Sequence, residues 1–512
     1  MNTDREFPAM PAECLYLGLA IDPNAPAAIV GNQKTSYQEL TRSVEALAQA
    51  LRKELAPNDK VALCALNNLE HLTAFLAILV GGFTWIPINP KNGKLLNQQL
   101  LDSAQPALIL VDCESKNTLP ETKTKTWLLN ASTQNTHSIS EAYLDQPFTP
   151  ASPNANDIMG IKFTGGTTGT PKGVIQTQRN VAAVIDNMQR VFEFTASDRN
   201  LAVAPLTHGG SHYILPILAV GGCHLLHSAP DPKEILTAFR QHKASVSFMP
   251  PTLIYKLMEQ PSIGNDDFPH LRHLTYSAAP MPPARIEQVQ HLIGSRLSTV
   301  YGQTEAPMTI TAMGPEDLSK AELHGSVGKA CHHSEVAILN DKGEPLDRGE
   351  TGEIAVSGAI VMPSYFQAPD KTEQAFYKDW LLTGDLGYVD QQGYLFLKGR
   401  SKELIISGGF NVYPAEVENV LIQHPDILEC AVVGVEDDYW GERVEAAICI
   451  KANKHIDLAA LQDSLKAQLG PVKTPKAFHL VTQLPRNPVG KVVRRDVLQL
   501  IADQQSLEEP LP

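Results

Sequence analysis

Two hydrophobic periods alternate through the first 115 residues, and this alternation restricts the fold more than any other property of the chain. Residues 28–30 form a short apolar run. Tyr37, Leu40, Val44, Leu47 and Leu51 then recur at three- and four-residue steps, one face of a helix, and Ser36 stands where a cap belongs. A strand over 60–64, a helix over 70–79, a strand over 83–87, a helix over 95–104 and a strand over 108–111 follow. Such strand–helix–strand units build a parallel sheet with helices on its faces. The apolar stripes are core positions and carry no chemistry.

Residues 113–155 are rich in Thr, Ser, Asn and Pro and are expected to run over the surface. Alternation resumes to about residue 320. Between 335 and 397 short strands (336–339, 352–356, 394–397) are punctuated by Gly, Asp and Pro, which suggests a smaller β-rich region. The remainder has its own order: strand 403–406, a glycine turn at Gly408-Gly409, helix 415–423, strands 430–435 and 446–450, and helix 458–469. The expected class is α/β. A large N-terminal domain of helix-covered sheets, 1–399, holds the β-rich region, and a small mobile C-terminal α/β domain, 403–512, follows a connection at 400–402.

Bulk properties bound the partners. A chain of 512 residues suits about three domains, and 43% hydrophobic with 19% charged residues fits large cores. Its net charge of −14 argues against a nucleic-acid or anionic-membrane binder, so any anionic ligand must be held by local positive potential. The seven cysteines are dispersed and odd in number, which suggests buried free thiols in a reducing compartment. The N-terminus has no basic and apolar signal regions, and the best membrane candidate, 72–82, is too short to span. A cytoplasmic location is expected. Oligomeric state is left open.

Chemistry concentrates first at 163–174, Phe-Thr-Gly-Gly-Thr-Thr-Gly-Thr-Pro-Lys-Gly-Val, directly after the apolar run 158–163. Backbone N–H groups, hydroxyls and the Lys172 charge can wrap a polyphosphate. By itself such a cluster is more often a flexible loop. It is not a Walker A loop, because Lys172 follows Pro171 and precedes Gly173.

Four further motifs follow: Tyr301-Gly302-Gln303-Thr304-Glu305, Thr383-Gly384-Asp385, Gly399-Arg400-Ser401-Lys402-Glu403, and Pro485-Arg486-Asn487-Pro488-Val489-Gly490-Lys491. With the loop, these five in this order resemble the adenylate-forming superfamily of acyl-CoA synthetases, adenylation domains and firefly-type luciferases, over nearly the whole chain. The resemblance implies that Thr164, Gly165, Gly166, Thr167, Thr168, Gly169 and Lys172 contact the β- and γ-phosphates of ATP. A serine is common in the family where Gly165 stands. Ser277-Ala278-Ala279-Pro280 would border the adenine. Tyr301 offers a face for adenine stacking, Gly302 open space for a substrate carbonyl, Gln303 a place in the nucleotide site and Thr304 a donor to the α-phosphate. Glu305 is a hard oxygen ligand suited to Mg2+. Asp385 would accept the ribose hydroxyls, with Arg400 nearby.

Lys491 is implied to swing in and bind both the reacting carboxylate and the α-phosphate, supplying a cation as two anions meet. Lys402 would be the hinge, within 400–402, on which the small domain turns between two half-reactions. The first gives acyl-AMP and pyrophosphate; in the second a thiol displaces AMP. Gly408 and Gly409 would let a pantetheine arm pass, and Trp440 either stacks on the adenine of CoA or simply packs. Lys473 and Lys476 are weak partners for CoA phosphates.

His208, in Thr207-His208-Gly209-Gly210-Ser211-His212-Tyr213, is implied to border the acyl group. His208 and His212 have i, i+4 spacing, but no Glu or third ligand supports zinc. His332-His333 reads as structural. Gly209, Gly210, Gly302 and Ala306 suggest a roomy pocket, with Met249 and Met308 as adaptable walls. No acid is present in this segment to hold a substrate amine, which favours a plain carboxylic acid, aromatic or medium-chain fatty. The function implied is an acid–thiol ligase using ATP, Mg2+ and CoA. Its rivals are an enzyme loading an acyl carrier protein and a luciferase-type oxidoreductase.

Overall fold

The helix expected from the Tyr37 stripe spans Tyr37–Glu54 and starts on a reciprocal cap. Ser36 Oγ accepts from the Glu39 N–H, and the Glu39 carboxylate accepts from the Ser36 N–H at 2.8 Å. Tyr37, Leu40, Val44, Leu47 and Leu51 are all buried, so the stripe is core. This computed structural model describes residues 9–130, 136–164, 171–229, 231–261, 263–487 and 491–508.

Among the described residues the strands form one sheet of nine, one of six and two of five. The six-stranded sheet runs Thr126–Leu128, Leu108–Val111, Lys60–Cys64, Thr84–Pro87, Ile158–Thr164, Lys172–Thr177. It is parallel except for its last strand, which folds back beside Ile158–Thr164. The alternating pattern thus builds a parallel sheet, with one correction. Pro26–Val30 leaves it and pairs with Cys223–Leu226 in the nine-stranded sheet. Tyr37 ties that segment down, its buried hydroxyl donating to Gly222 O at 2.6 Å. A second correction concerns 113–155. This stretch is not all surface, because Thr126–Leu128 adds a strand and Trp127 and Leu129 are buried.

The nine-stranded sheet places Leu297–Gln303, His273–Tyr276, Val246–Met249 and Arg199–Ala202 side by side and parallel. Their carboxyl ends therefore lie along one edge, where open α/β sheets bind ligands. An antiparallel five-stranded sheet holds Glu335–Leu339, Gly352–Ser357, Trp380–Val389, Phe376–Tyr377 and Leu395–Arg400.

The chain is mixed α/β, with a large N-terminal domain and a smaller C-terminal one. The C-terminal sheet is dominated by the hairpin Ile427–Asp437 and Gly441–Ile450. It has its own core, including Ile405, Val417, Leu421, Val432 and Ile448. The strand expected at 403–406 starts later, at Ile405, because Ser401–Glu403 is a 3₁₀ turn. The expected helix at 458–469 runs as Leu458–Lys473, broken at Gly470 (φ 79°) beside Pro471. Ala477–Leu480 and Arg494–Glu508 are elements the periodicity did not suggest. All seven cysteines are free; Cys113 is exposed and Cys430 half-buried, which corrects the expectation of uniform burial. Among the described residues no helix is long and apolar enough to cross a membrane.

Candidate active site

Four loops leave the carboxyl ends of the parallel strands. His208 follows Arg199–Ala202, Met249 ends its own strand, Ser277-Ala278-Ala279-Pro280 follows His273–Tyr276, and Thr304-Glu305 follows Leu297–Gln303. Ala278 has φ 71°, a left-handed conformation uncommon away from glycine and often found at functional sites.

Asp385 is where elements of different sheets converge. It stands in Trp380–Val389, in register with Arg400 of Leu395–Arg400. Arg400 Nε meets Asp385 Oδ1 at 2.7 Å, and the Tyr301 hydroxyl donates to Asp385 Oδ2 at 2.7 Å. Both carboxylate oxygens are thus engaged, each keeping a lone pair. Burial and the Asp385 charge raise the Tyr301 phenol well above its ordinary range, so it is a fixed donor. Tyr301 is almost wholly buried. Gln303 is half-buried at the end of the same strand.

Lys491 lies on the C-terminal domain. Its N–H donates to Asn487 Oδ1 at 2.9 Å, anchoring the turn. Burial first, then the Arg400 charge, pulls its ammonium below the ordinary lysine range, while Glu403 and Asp385 oppose that. Lys491 is nevertheless exposed, so water screens these interactions. Pro488 to Gly490 of this motif lie outside the described residues.

Glu305 is held by Tyr365, whose hydroxyl donates to Glu305 Oε1 at 2.8 Å. Lys172 Nζ lies 5.0 Å over the Tyr365 ring, and Gln176 Nε2 donates to Thr304 O at 3.1 Å. The strand pair flanking the phosphate loop therefore touches the Thr304-Glu305 turn directly. Thr164 and Lys172 face each other in register at the loop's two ends; Gly165, Gly166, Thr167, Thr168 and Gly169 lie outside the described residues. The donor set fits Mg2+. Oε1 of Glu305 is committed to Tyr365, Oε2 has no partner among the described residues, and a phosphate-bound Mg2+ needs only one or two carboxylates. Tyr365 escaped the sequence analysis, because nothing local marks a tyrosine 60 positions from its partner.

The acyl side differs most from expectation. Gly302, Gly209 and Gly210 leave no vacant room. A Cβ at Gly302 would come 2.5 Å from Met308 N, at Gly209 2.6 Å from the Phe248 ring, and at Gly210 2.6 Å from Ala204 O. These glycines are required by close backbone packing. Met249 and Ala306 are fully buried, and Met308 adopts φ 59° where Gly302 presses on it. His208 is exposed, and Thr207 Oγ1 lies 3.0 Å from its Nδ1. Desolvation and nearby Lys162 push its imidazole down to about 4, so it is neutral at pH 7.

Lys162 was not anticipated, although a lone lysine in the apolar run 158–163 was a visible signal. Its Nζ donates to Ser211 Oγ at 3.0 Å and lies 3.0 Å from His212 Nε2. Burial pushes its pKa down to about 7. His212 is thus spoken for by an amine, which a zinc site would not place there. His332 and His333 lie with Asp186 as a compact group, but Asp186 Oδ2 already takes Arg190 at 2.8 Å and His333 at 2.7 Å.

On the C-terminal domain, Gly408 (φ 58°) and Gly409 (φ 81°) turn the hairpin, with open space above Gly409. A Cβ on Gly408 would come 2.9 Å from the Trp440 ring, and Lys476 Nζ lies 4.9 Å over that ring. Trp440 therefore packs on its own domain. Lys473 pairs with Glu416 at 2.6 Å, and Lys402 is exposed beside the last strand of the N-terminal domain.

The sequence model for AMP-binding enzymes matches residues 19–366, and that for the AMP-binding enzyme C-terminal domain matches 416–491. The chain belongs to this family of enzymes, the adenylate-forming superfamily. It is 34% identical over 69% of its length to the medium/long-chain-fatty-acid–CoA ligase FadD8 of Mycobacterium tuberculosis, of which the match spans 63%. It is 31% identical to the indoleacetate–CoA ligase of Aromatoleum aromaticum, over 96% of this chain and 98% of that one. The amide bond synthetase McbA of Marinactinospora thermotolerans superposes with a TM-score of 0.88 at 27% identity, covering 96% of this chain and 99% of McbA.

Proposed function

We propose that this protein activates a carboxylic acid with ATP, releasing pyrophosphate and forming acyl-AMP, and then transfers the acyl group to CoA. The convergence of Tyr301 and Arg400 on the two oxygens of Asp385, with Lys491 on the neighbouring C-terminal domain, carries the proposal. Asp385, with a lone pair left on each oxygen, accepts the ribose hydroxyls, Thr304 donates to the α-phosphate and Glu305 holds Mg2+, which neutralises phosphate charge. Thr164, Lys172 and the loop between them hold the departing pyrophosphate. Neutral His208 borders the acid without adding charge. Lys491 offsets the repulsion of the attacking carboxylate and stabilises the charge that grows in the transition state. Lys402 is the hinge, and with 400–402 it divides the chain into 1–399 and 403–512. Free thiols suit a cytoplasmic setting. The FadD8 and indoleacetate relatives support an aliphatic or aromatic acid.

A carrier-protein thiol is the second reading. Ile406, Phe410 and Tyr439 are exposed around the Gly408-Gly409 turn, and both weak candidates for CoA phosphates are engaged, Lys473 with Glu416 and Lys476 with Pro471 O. Acid-dependent pyrophosphate release, followed by AMP release on adding CoA, a holo-carrier, an amine or oxygen alone, distinguishes these. Acyl-AMP left intact by millimolar CoA would sink the CoA assignment.

A further inference from the structure

None of the five motifs includes residues 359–366, yet this segment joins two parts of the site. The Met362 N–H donates to Glu305 O at 2.8 Å, and the Tyr365 hydroxyl donates to Glu305 Oε1 at 2.8 Å. One short segment thus grips both the backbone and the side chain of this acid. The same segment pairs with the strand that leaves the phosphate loop. The Ile175 N–H donates to Ser364 O at 3.2 Å, the Phe366 N–H donates to Gly173 O at 2.6 Å, and Val174 stands opposite Tyr365. Asn180 Nδ2 fixes the segment, donating to Ala359 O and Val361 O at 2.8 Å each. Thr372 Oγ1 accepts from the Tyr365 N–H at 3.0 Å.

Tyr365 touches two opposite charges at once. Lys172 Nζ lies 5.0 Å over the face of its ring, while the hydroxyl at the ring edge holds Glu305. Among the described residues neither Lys172 nor Glu305 takes part in an ion pair. Were the two to pair, each would neutralise the other, and the site would lose a cation for phosphate and an anion for a metal. A phenol serves both without carrying charge. Its O–H donates to the carboxylate, and the negative face of its ring attracts the ammonium. Burial first, then the Glu305 charge, raises the phenol above its ordinary range, so it stays protonated and a donor at neutral pH. Phenylalanine would keep only the ring face, and leucine would keep neither contact.

We propose that Tyr365 is a positioning residue that keeps Lys172 and Glu305 from neutralising each other, reserving the amine for the phosphates of ATP and Glu305 Oε2 for Mg2+. Holding Oε1 sets the direction of Oε2, as outer hydrogen-bond partners do for metal-binding carboxylates. The ring holds the amine by a contact weaker than an ion pair, so a phosphate can take it over. This rests on the ATP and Mg2+ contacts proposed above for Lys172 and Glu305.

The test measures ATP affinity by calorimetry, without any acid substrate, in chelator and with Mg2+. The ratio of the two affinities reads what the metal contributes. Tyr365→Phe is expected to lower that ratio about tenfold, the low end for losing a partner that orients a metal ligand, and to leave the affinity in chelator unchanged. Tyr365→Leu should lower the ratio as much and also weaken ATP binding in chelator about threefold, the scale of one cation–π contact. Glu305→Gln should remove the metal contribution, and adding Tyr365→Phe to it should cost nothing further, because the two act as a unit. A ratio that survives in Tyr365→Phe while Glu305→Gln abolishes it would overturn the role of Tyr365 alone. Equal losses with and without Mg2+, matched by a lower urea midpoint, would make Tyr365 a packing residue and overturn it too. If Glu305→Gln leaves the wild-type ratio intact, the metal assignment of Glu305 itself fails and takes this inference with it.

Discussion

Attack of a carboxylate on a phosphate joins two anions, and at the residue scale the question is which cation meets them. In the proposed function Lys491 is that cation: carried on a separate domain, it need not bias the ground state. Lys491→Ala is expected to slow acyl-AMP formation about 10²–10³-fold, as loss of a positioned charge stabiliser does. ATP binding should largely persist; single-turnover pyrophosphate release beside calorimetry checks both. Asp385→Asn should act differently. It removes the charge opposite Arg400 and weakens ATP binding about tenfold, by the scale of one charge-assisted bond. Since Arg400 is 40% exposed, solvent screens the pair, and the stability loss should stay near about 1 kcal/mol in urea unfolding.

Elements fail at contacts their own periodicity does not reveal. Gly302 looks from the sequence like space for substrate, yet its Cα rests on the Met308 backbone. Gly302→Ala is therefore expected to lose about 1–3 kcal/mol from overpacking, read as a lower urea midpoint even without ligands. An unchanged midpoint would restore the open-pocket interpretation. Ser36→Ala should cost about 1 kcal/mol, the usual loss of a helix cap, and leave pyrophosphate release unchanged at low temperature. The two substitutions mark what was legible. Ser36 and Glu39 are three residues apart and read directly as a cap. Gly302 needs the facing strand Ala306–Met313 to explain it.

The whole molecule carries a pH signature from groups buried in its interior. Burial pushes His71 and His224 down to about 4 from the usual 6.5. Between those values the unfolded chain binds protons that the folded one refuses, so stability falls as pH drops from 6.5 towards 4. Each histidine adds a slope of about 1.4 kcal/mol per pH unit across that window. Lys162 acts on the alkaline side. Its folded pKa is about 7 against 10.5 unfolded, so the unfolded chain holds the extra proton between them and stability rises with pH through that range. Lys162→Met should flatten that rise, measured as the urea midpoint from pH 7 to 10; an unaltered slope would show that the amine is solvated.

The sequence alone determined what depends on neighbours along the chain: the alternating periods of the first 115 residues, the cap at Ser36, and the five motifs with their order. Local backbone preference and hydrophobic period are written within a few residues, so they survive without coordinates. Only tertiary structure decided what depends on which strands lie side by side. It moved Pro26–Val30 into a second sheet, brought Tyr301 to Asp385 across 84 positions, and set Lys162 against Ser211 across 49. Strand order is fixed by the summed burial of whole faces, which no single segment encodes. The motifs therefore name the nucleotide chemistry, whereas the row of Trp85, Gly160 and Gln176 beside Lys162 emerges only where three strands lie side by side.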